Sequence, residues 1–547
     1  MTVFVGLMVL APESPGRIRG TNQHYQQGDW VTYSSTRFVR DLAIGQQYVY
    51  FATTGGITRF NYFSEKWDFP WTTSNGLADN DIYIVAMDFN TGYLWCANGQ
   101  GLSYLDPASQ FWYNVYYDEI GLDPSEGVTS IGFGQDRRVY LLTSNNRWLA
   151  SENTATDFRS ISRPEDESTI TWFGEKRRYE RKLPPLFMSD GFLFDERNRV
   201  IEDMEFRNFK ITSWIQDNYQ NIWIGTWGLG AARANVATSR LDLLQYGLWD
   251  QAVDAIARDG EDFWVGGIQG SRVKAGITEW GIFSGEPRYY EAYLLTGFDN
   301  GEVSAIAVDD YTVWIGTHDG LTRYDRKKGI WRTYTIVNNL VNNWVNDIVV
   351  DEDAIWVATD GGVSYVVKKT VGTDSLTIRH VLYPKLRNIA VYDLDIQGNL
   401  LWMGTEFGVF VYDKKKKEGS FYTSVADPVE KATYAITCYK NEVWYATDYG
   451  IAGFNSKTGK RFDPPARYYL KNVRVYRLTA DEKTVWAATD NGALKYDREN
   501  KRWVRFSVQD GLPSDEVLSL YLDGDYIWFG TPLGLTQFYW NAPYRID

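Results

Sequence analysis

A short motif that begins with tryptophan recurs at nearly constant spacing through the second half of this chain of 547 residues. Each copy reads Trp-x-Gly/Ala-Thr and continues into a turn that contains glycine. Successive copies are separated by 42, 46, 42, 42 and 42 residues and begin at Trp314, Trp356, Trp402, Trp444, Trp486 and Trp528. Two short apolar runs joined by such a turn, repeated at this length, are typical of a four-stranded β-propeller blade.

The first half of the chain carries the same motif in a less regular form. Its copies begin at Tyr50, Trp95, Tyr140, Phe187, Trp223 and Trp264, and the Phe187 copy is the least regular. Single propellers typically contain four to eight blades, so twelve copies favour two rings over one. We therefore predict an all-β protein of two tandem β-propellers, with six antiparallel four-stranded blades in each.

The strands outside the motif predict how each ring closes. The last copy, from Trp528, has no fourth strand after it, whereas one unassigned strand contains Trp30 and another contains Tyr289. We expect the Trp30 strand to complete the Trp264 blade and the Tyr289 strand to complete the Trp528 blade. Closure of this kind would remove exposed sheet edges.

This closure scheme also predicts the domain boundaries. It gives an N-terminal tail at residues 1–27, a first propeller at 28–285 and a second propeller at 286–547. The tail contains the apolar stretch VFVGLMVL at residues 3–10, which is too short to span a bilayer and has no preceding Lys or Arg. It is interpreted either as the remnant of a signal peptide or as an ordinary N-terminal tail.

Composition excludes several classes of function. The net charge of −14 argues against binding to a nucleic-acid backbone, which needs clustered Lys and Arg. The two cysteines, Cys96 and Cys438, lie in different predicted rings and show no metal-binding spacing. None of the common hydrolase, nucleotide-binding or zinc-protease motifs occurs, so we predict no enzymatic activity and no cofactor.

A set of acidic residues gives the clearest candidate site. Four residues after each repeated tryptophan of the second ring stand His318, Asp360, Glu406, Asp448, Asp490 and Pro532. Phe407 and Tyr449 directly follow two of the carboxylates. Because these turns share one face of the ring, we predict an acidic, partly aromatic ligand site for a cation, an amine or a basic protein segment. Two alternatives are that each Asp caps its own turn, or that the carboxylates bind Ca²⁺.

The repeat as a whole resembles a known family. The pattern Asn-Gly-Leu-x-x-Asn, a short strand ending in Asp, and Trp-x-Gly-Thr-x-x-Gly-Leu-x-x-Tyr-Asp is similar to the two-component regulator propeller repeat. Residues 320–325 (GLTRYD) and 408–413 (GVFVYD) match its end well. The resemblance covers nearly the whole chain and is strongest from about 300 to 540. It implies export to the periplasm or the extracellular space, as in the sensor portions of bacterial hybrid histidine kinases and in secretion-associated propellers.

These observations predict a non-enzymatic exported scaffold or sensor-like module. Its loop faces would bind a protein partner or a glycan, and it would reach a membrane only through a partner. One alternative is a structural subunit of a larger extracytoplasmic or membrane-associated complex. Another is a propeller-fold glycan hydrolase or lyase, whose site would be assembled from residues scattered over several blades.

Overall fold

The computed structural model describes residues 25–545, with gaps at 124, 153–156, 178–181, 190, 269–274, 283–284, 299, 373–375, 383–385, 423–431 and 463–472. The first 24 residues of the tail predicted at 1–27 therefore lie outside the described residues. The described chain is all-β, as the repeat predicts, and consists of antiparallel sheets joined by short turns.

The first strand, β1 (Trp30–Tyr33), does not pair with the strands that directly follow it in the sequence, and these form four sheets. The first two sheets consist of β2 (Val39–Ile44), β3 (Tyr48–Thr53), β4 (Gly56–Asn61) and β5 (Lys66–Trp71), then β6 (Ile82–Met87), β7 (Leu94–Asn98), β8 (Gly101–Leu105) and β9 (Trp112–Tyr116). The third consists of β10 (Val128–Gly134), β11 (Val139–Thr143), β12 (Trp148–Ser151), β13 (Phe158–Ile161) and β14 (Ile170–Gly174). The fourth consists of β15 (Phe187–Met188), β16 (Leu193–Asp195), β17 (Val200–Glu202), β18 (Asn208–Gln216), β19 (Asn221–Thr226), β20 (Ala231–Asn235) and β21 (Arg240–Leu244).

These four sheets surround one cavity and are called the small ring. Strand β2 lies beside both β6 and β18, and β6 lies beside β10 and β14. The predicted blade at Phe187 is wrong. Strand β15 contains only two residues and pairs in parallel with β21 at the outer edge of the Trp223 sheet. Two residues form too short a run to build a blade.

The rest of the chain forms seven sheets in the described residues. The first three consist of β22 (Ala255–Asp259), β23 (Asp262–Gly266), β24 (Gly276–Trp280) and β25 (Arg288–Glu291), then β26 (Val303–Asp309), β27 (Thr312–Thr317), β28 (Gly320–Asp325) and β29 (Ile330–Tyr334), then β30 (Val345–Val350), β31 (Ala354–Thr359), β32 (Gly362–Val367) and β33 (Ile378–His380). The next two consist of β34 (Val391–Gln397), β35 (Leu400–Thr405), β36 (Gly408–Asp413) and β37 (Glu418–Phe421), then β38 (Thr433–Tyr439), β39 (Glu442–Thr447), β40 (Gly450–Asn455) and β41 (Arg461–Phe462). The last two consist of β42 (Val475–Ala480), β43 (Thr484–Thr489), β44 (Gly492–Asp497) and β45 (Arg502–Phe506), then β46 (Ser519–Asp523), β47 (Tyr526–Thr531) and β48 (Gly534–Phe538).

Strand β1 completes the last of these seven sheets. It pairs antiparallel with β48, so that Trp30 lies opposite Phe538 and Tyr33 lies opposite Leu535. The inner strands β22, β26, β30, β34, β38, β42 and β46 adjoin in that order, and β46 also adjoins β22. This closed set, including β1, is called the large ring. The small ring is thus inserted between the closing strand of the large ring and its first sheet.

The predicted closure is therefore wrong. The Trp30 strand joins the Trp528 sheet, and the strand containing Tyr289 pairs with its neighbour β24 in the Trp264 sheet. Packing supplies the reason, because the indole of Trp30 stacks on the ring of Phe538 with centroids 3.8 Å apart. The boundary predicted at residue 285 falls inside a sheet. In the described residues the sheets divide into four and seven, and not into six and six.

The repeated tryptophans form the core between neighbouring sheets. Those at the motif position are buried in both rings, for example Trp95, Trp264, Trp444 and Trp528. Each stands on the second strand of its sheet, where both faces are covered by adjacent sheets. This burial explains why the second strands read as continuous apolar runs.

Candidate functional site

The predicted site residues all lie in turns between the second and third strands of the large ring. His318 joins β27 to β28, Asp360 joins β31 to β32, and Asp490 joins β43 to β44. Glu406 and Phe407 form the next turn after Asp360, and Asp448 and Tyr449 form the one after that. Each second strand ends beside the start of its own inner strand, as at Thr359 opposite Val345. The turns therefore share one end of the ring, here called the mouth.

The repeated threonine, and not the aspartate, caps these turns. In the Asp360 turn, the Thr359 hydroxyl accepts the N–H of Gly361 at 3.2 Å and donates to the carbonyl of Gly362 at 2.8 Å. The same pair of bonds recurs at Thr405 and Thr489. Gly362 adopts a φ of 129°, which a residue with a side chain would strain. The alternative that each carboxylate caps its own turn is therefore not what the structure contains.

The carboxylates instead connect each turn to the start of the inner strand. Glu406 Oε1 accepts the N–H of Ala390 at 3.2 Å, and Asp490 Oδ1 accepts the N–H of Arg474 at 3.0 Å. Asp360 Oδ1 accepts a hydrogen bond of 2.8 Å from the side-chain amide of Asn346. These bonds use one oxygen of each carboxylate, which leaves acceptor capacity on the others.

Sequence reasoning missed three tyrosines at the mouth. Tyr392, Tyr434 and Tyr476 each occupy the second position of an inner strand, where the pairing register with the second strand shifts by one residue. Such a bulge re-aims the extra side chain. The rings of Tyr392 and Tyr434 are 5.5 Å apart. The signal was present in the sequence, because the three tyrosines are separated by 42 and 42 residues, in step with the tryptophan motif.

Each of these tyrosines lies in the field of a carboxylate. Burial and the negative charge of Glu406 raise the pKa of Tyr392. Burial and a nearby Asp448, which also hydrogen-bonds the phenol, raise the pKa of Tyr434. Burial and a hydrogen bond to Glu516 raise the pKa of Tyr476 to about 12. All three phenols therefore stay neutral over the physiological range, and they alternate with acidic residues around this part of the mouth.

The neighbouring part of the rim is aromatic. The imidazole of His318 stacks on the indole of Trp344, with ring centroids 3.7 Å apart and planes inclined by 16°. Phe407 and Tyr449 extend outward, with 54% and 72% of their surfaces exposed. Exposed aromatic side chains beside carboxylates form a surface that suits an organic cation, which is attracted by both.

An arginine, Arg477, connects several inner strands of the large ring near the mouth. Arg477 Nη2 donates to the backbone carbonyl of Asn346 at 3.1 Å, and Nη1 lies 3.5 Å from a carboxylate oxygen of Asp393. Burial, with the nearby charge of Asp347, raises the pKa of Asp393. Burial likewise raises the pKa of Asp254 to about 6. Arg477 thus connects its own strand, β42, to three other inner strands of the large ring, because it contacts Ser304, Asn346 and Asp393.

The structure brings no metal site together. Across the described ranges, no three side chains of His, Cys, Asp or Glu lie close enough to hold a metal ion. The Ca²⁺ alternative therefore stays a prediction without a described ligand set. No helix in the described part of the chain has the length and apolar character needed to cross a membrane.

Comparison with known proteins identifies similar folds. No protein-family model and no curated protein matches the sequence. Among solved structures, PorZ, described as an essential bacterial surface component of the type-IX secretion system of Porphyromonas gingivalis, matches with a TM-score of 0.55 and 16% identity over 94% of this chain and 87% of PorZ. The extracellular domain of the putative hybrid two component system BT4673 from B. thetaiotaomicron matches with a TM-score of 0.46 and 17% identity, covering 94% of this chain and 77% of that domain. The corresponding domain of BT3049 gives 0.42 and 17%, covering 94% and 76%. The likeness to PorZ supports the β-propeller fold.

Proposed function

We propose that this protein is a non-enzymatic, exported binding module, and that the mouth of its large ring binds a basic segment of a partner protein. The observation that carries the proposal is the alternation of tyrosines and carboxylates at Tyr392, Glu406, Tyr434 and Asp448. A lysine or arginine side chain would gain both a charge pair and an aromatic face there.

Export is proposed because of the locations that are described for proteins of similar fold. The similar solved structures are described as a bacterial surface component and as extracellular domains. The two cysteines do not distinguish between a location inside and one outside the cytoplasm, because Cys96 is buried and neither cysteine forms a disulfide. A location in the periplasm or outside the cell would present the mouth to partners or to glycans.

A glycan hydrolase or lyase is the second candidate function. It is favoured by the tyrosine and carboxylate pairs at the mouth, which resemble general acid and base groupings in composition. Against it, Glu406 and Asp490 each accept a backbone N–H, and burial and neighbouring acids keep the phenols protonated. Cleavage of any glycan in a panel by the wild type, lost in Tyr434→Phe, would establish the enzyme and refute the binding proposal.

The binding proposal is tested with a fluorescent hexa-arginine peptide, titrated by anisotropy at low and at moderate salt. Glu406→Gln keeps the oxygen that accepts the Ala390 N–H, so the fold should be retained while the negative charge is lost. We expect the peptide to bind about two- to fivefold more weakly, which corresponds to no more than about 1 kcal/mol for one partly exposed charge contact. Added salt should weaken binding to the wild type as well.

Glu352→Gln is the matched control. Glu352 is an exposed acid in the hairpin between β30 and β31, in the sheet that precedes the Glu406 sheet and at the end opposite the mouth. Glu352→Gln removes one negative charge, as Glu406→Gln does, without changing the mouth. Equal weakening by both variants would mean that the peptide responds only to net charge, and the mouth would then be rejected as the binding site.

A further inference from the structure

The small ring encloses a cavity that the proposed function does not use. Its volume is about 860 Å³, within the range of sites that hold small molecules. Each inner strand contributes to the lining the residue at which its pairing register shifts, namely Arg40, Tyr83, Thr129 and Thr212. All four sheets thus contribute to a single chamber.

One part of the chamber is aromatic. Tyr83 and Trp227 line it with 37% and 39% of their surfaces exposed, although both are large apolar side chains. The guanidinium carbon of Arg40 is 5.1 Å from the centre of each ring. Arg40 is itself fixed by hydrogen bonds of 3.0 and 3.1 Å to the carboxylate of Asp81. The Arg40 guanidinium therefore lies over both rings and holds them in place on the lining of the cavity.

The charges of the lining fall into two groups. Asp41 is paired with Arg177 at 2.7 Å, and both side chains are 7% exposed, so this ion pair is internal. Arg40 is paired with Asp81, whereas the two remaining charged side chains of the lining, Lys210 and Glu175, are exposed and form no ion pair with any described residue. Lys210 lies on β18, and Glu175 follows β14 on another sheet. The chamber therefore has one positive wall and one negative wall.

We infer that the small-ring cavity binds a small zwitterion with an apolar side chain, of the free amino acid or dipeptide type. Its carboxylate contacts the Lys210 ammonium. Its ammonium contacts the Glu175 carboxylate, and its side chain packs on Trp227 and Tyr83. A simple anion or cation would satisfy only one of the two walls.

Three ligands of matched shape test this inference by isothermal calorimetry on the full chain. L-phenylalanine carries both charges, phenethylamine lacks the carboxylate, and 3-phenylpropionate lacks the ammonium. We expect phenylalanine to bind at least about tenfold more tightly than either analogue, since each analogue leaves one wall without its partner. Glucose serves as a neutral, polyhydroxylated probe of the same cavity.

Two charge variants assign the two walls. Lys210→Met should weaken the binding of phenylalanine and leave that of phenethylamine unchanged, whereas Glu175→Gln should weaken the binding of phenylalanine and leave that of 3-phenylpropionate unchanged. Lys415→Met, in an exposed hairpin of the large ring, is the control for general charge effects.

The outcomes separate the alternatives. Binding of phenylalanine that follows the pattern above supports the inference. The inference is overturned if phenylalanine does not bind, if the three phenyl ligands bind equally, or if the Lys210 and Lys415 variants behave alike. Binding of glucose without phenylalanine would also overturn it and would identify the chamber as a site for neutral polyols.

Discussion

The closing strand of the large ring can be tested by a designed disulfide between β1 and β48. Thr32 lies directly opposite Thr536, and their hydroxyl oxygens are 2.9 Å apart. Both side chains are buried and point the same way, so cysteines at these positions meet the distance requirements of a disulfide. The double variant Thr32→Cys, Thr536→Cys should therefore oxidise to a cross-linked form. Native Cys96 is buried and Cys438 is partly buried.

The size of the effect follows from the length of chain between the two positions. They are separated by 504 residues, and closing a loop of that length in the unfolded chain corresponds to a stabilisation of about 6 kcal/mol. If the small ring stays folded while the large ring unfolds, the flexible loop is shorter. The dependence on length is logarithmic, so this lowers the figure by only about 0.5 kcal/mol. Engineered disulfides commonly stabilise a protein by about 2–4 kcal/mol, so we expect a stabilisation between about 2 and 6 kcal/mol.

The assay compares urea unfolding with and without reductant, and follows cross-linking by migration on non-reducing gels. The control places the second cysteine at Thr278, which occupies the same place in the third strand of the Trp264 sheet as Thr536 does in the Trp528 sheet. That control should not cross-link. Efficient cross-linking of Thr32→Cys to Thr278→Cys, with none to Thr536→Cys, would refute the observed closure and restore the pairing expected from sequence.

Three further predictions concern the interior of the two rings. Replacing the buried Trp444 by alanine should lower the free energy of unfolding by about 3–5 kcal/mol, whereas replacing Trp344, which is 43% exposed, should lower it by much less. Equal urea midpoints for the two variants would contradict the assignment of Trp444 to the core. Arg177→Met leaves the buried carboxylate of Asp41 without its ion-pair partner and should lower the free energy of unfolding by about 3–5 kcal/mol. Part of this loss should be recovered in acid, where the carboxylate is protonated, and denaturant unfolding at two pH values measures both effects. Burial raises the pKa of Asp395 from 3.8 to about 6, so the folded state binds this proton more tightly than the unfolded chain, and the wild type should lose stability as the pH rises from about 4 to about 6. Asp395→Asn should flatten this part of the curve of unfolding free energy against pH, and an unchanged curve would show that Asp395 titrates normally.

The repeat predicts the sheets well because local chemistry defines each strand. The apolar run before Thr359 forms β31, and Gly362 lies in the glycine-containing turn that the motif predicts. The predicted four-stranded blades also have their fourth strands, for example those that contain Trp331 and Trp503. Each of these features depends on residues that are close in sequence, so a single copy of the repeat is enough to predict them.

Ring closure could not be predicted in the same way. Counting strands shows that one sheet lacks a fourth member, but it does not show which of two free strands supplies it. The answer depends on contacts across the whole chain, such as the stacking of Trp30 on Phe538 and the hairpin pairing of Tyr289 with Thr278. The Phe187 copy failed for a related reason, because a matching string of residues does not measure the length of strand that its surroundings allow.

The candidate site was predicted in part. The turns that carry Asp360, Glu406 and Asp490 do lie together at one end of the ring, as the repeat implies. Their hydrogen bonds to the inner strands were not foreseen, because a carboxylate before glycine suggests a local cap. The tyrosines of the mouth depend on a bulge in each inner strand, and a bulge leaves almost no mark in sequence beyond the spacing of the residues it exposes.

The insertion of the small ring sets an order of events during synthesis. Strand β1 precedes the small ring in the chain, whereas its partner β48 follows about 500 residues later, so β1 has no sheet to join until β48 has been synthesised. The small ring can fold in the meantime, and the N–H of Leu248 then bonds to the carbonyl of Ser34 at 2.9 Å. This contact holds β1 beside the chain that enters β22, at the place where the large ring starts. Folding of the inserted ring would thus convert a search over some 500 residues into a local docking step, and a protein with a destabilised small ring should accumulate large rings that stay open at this seam.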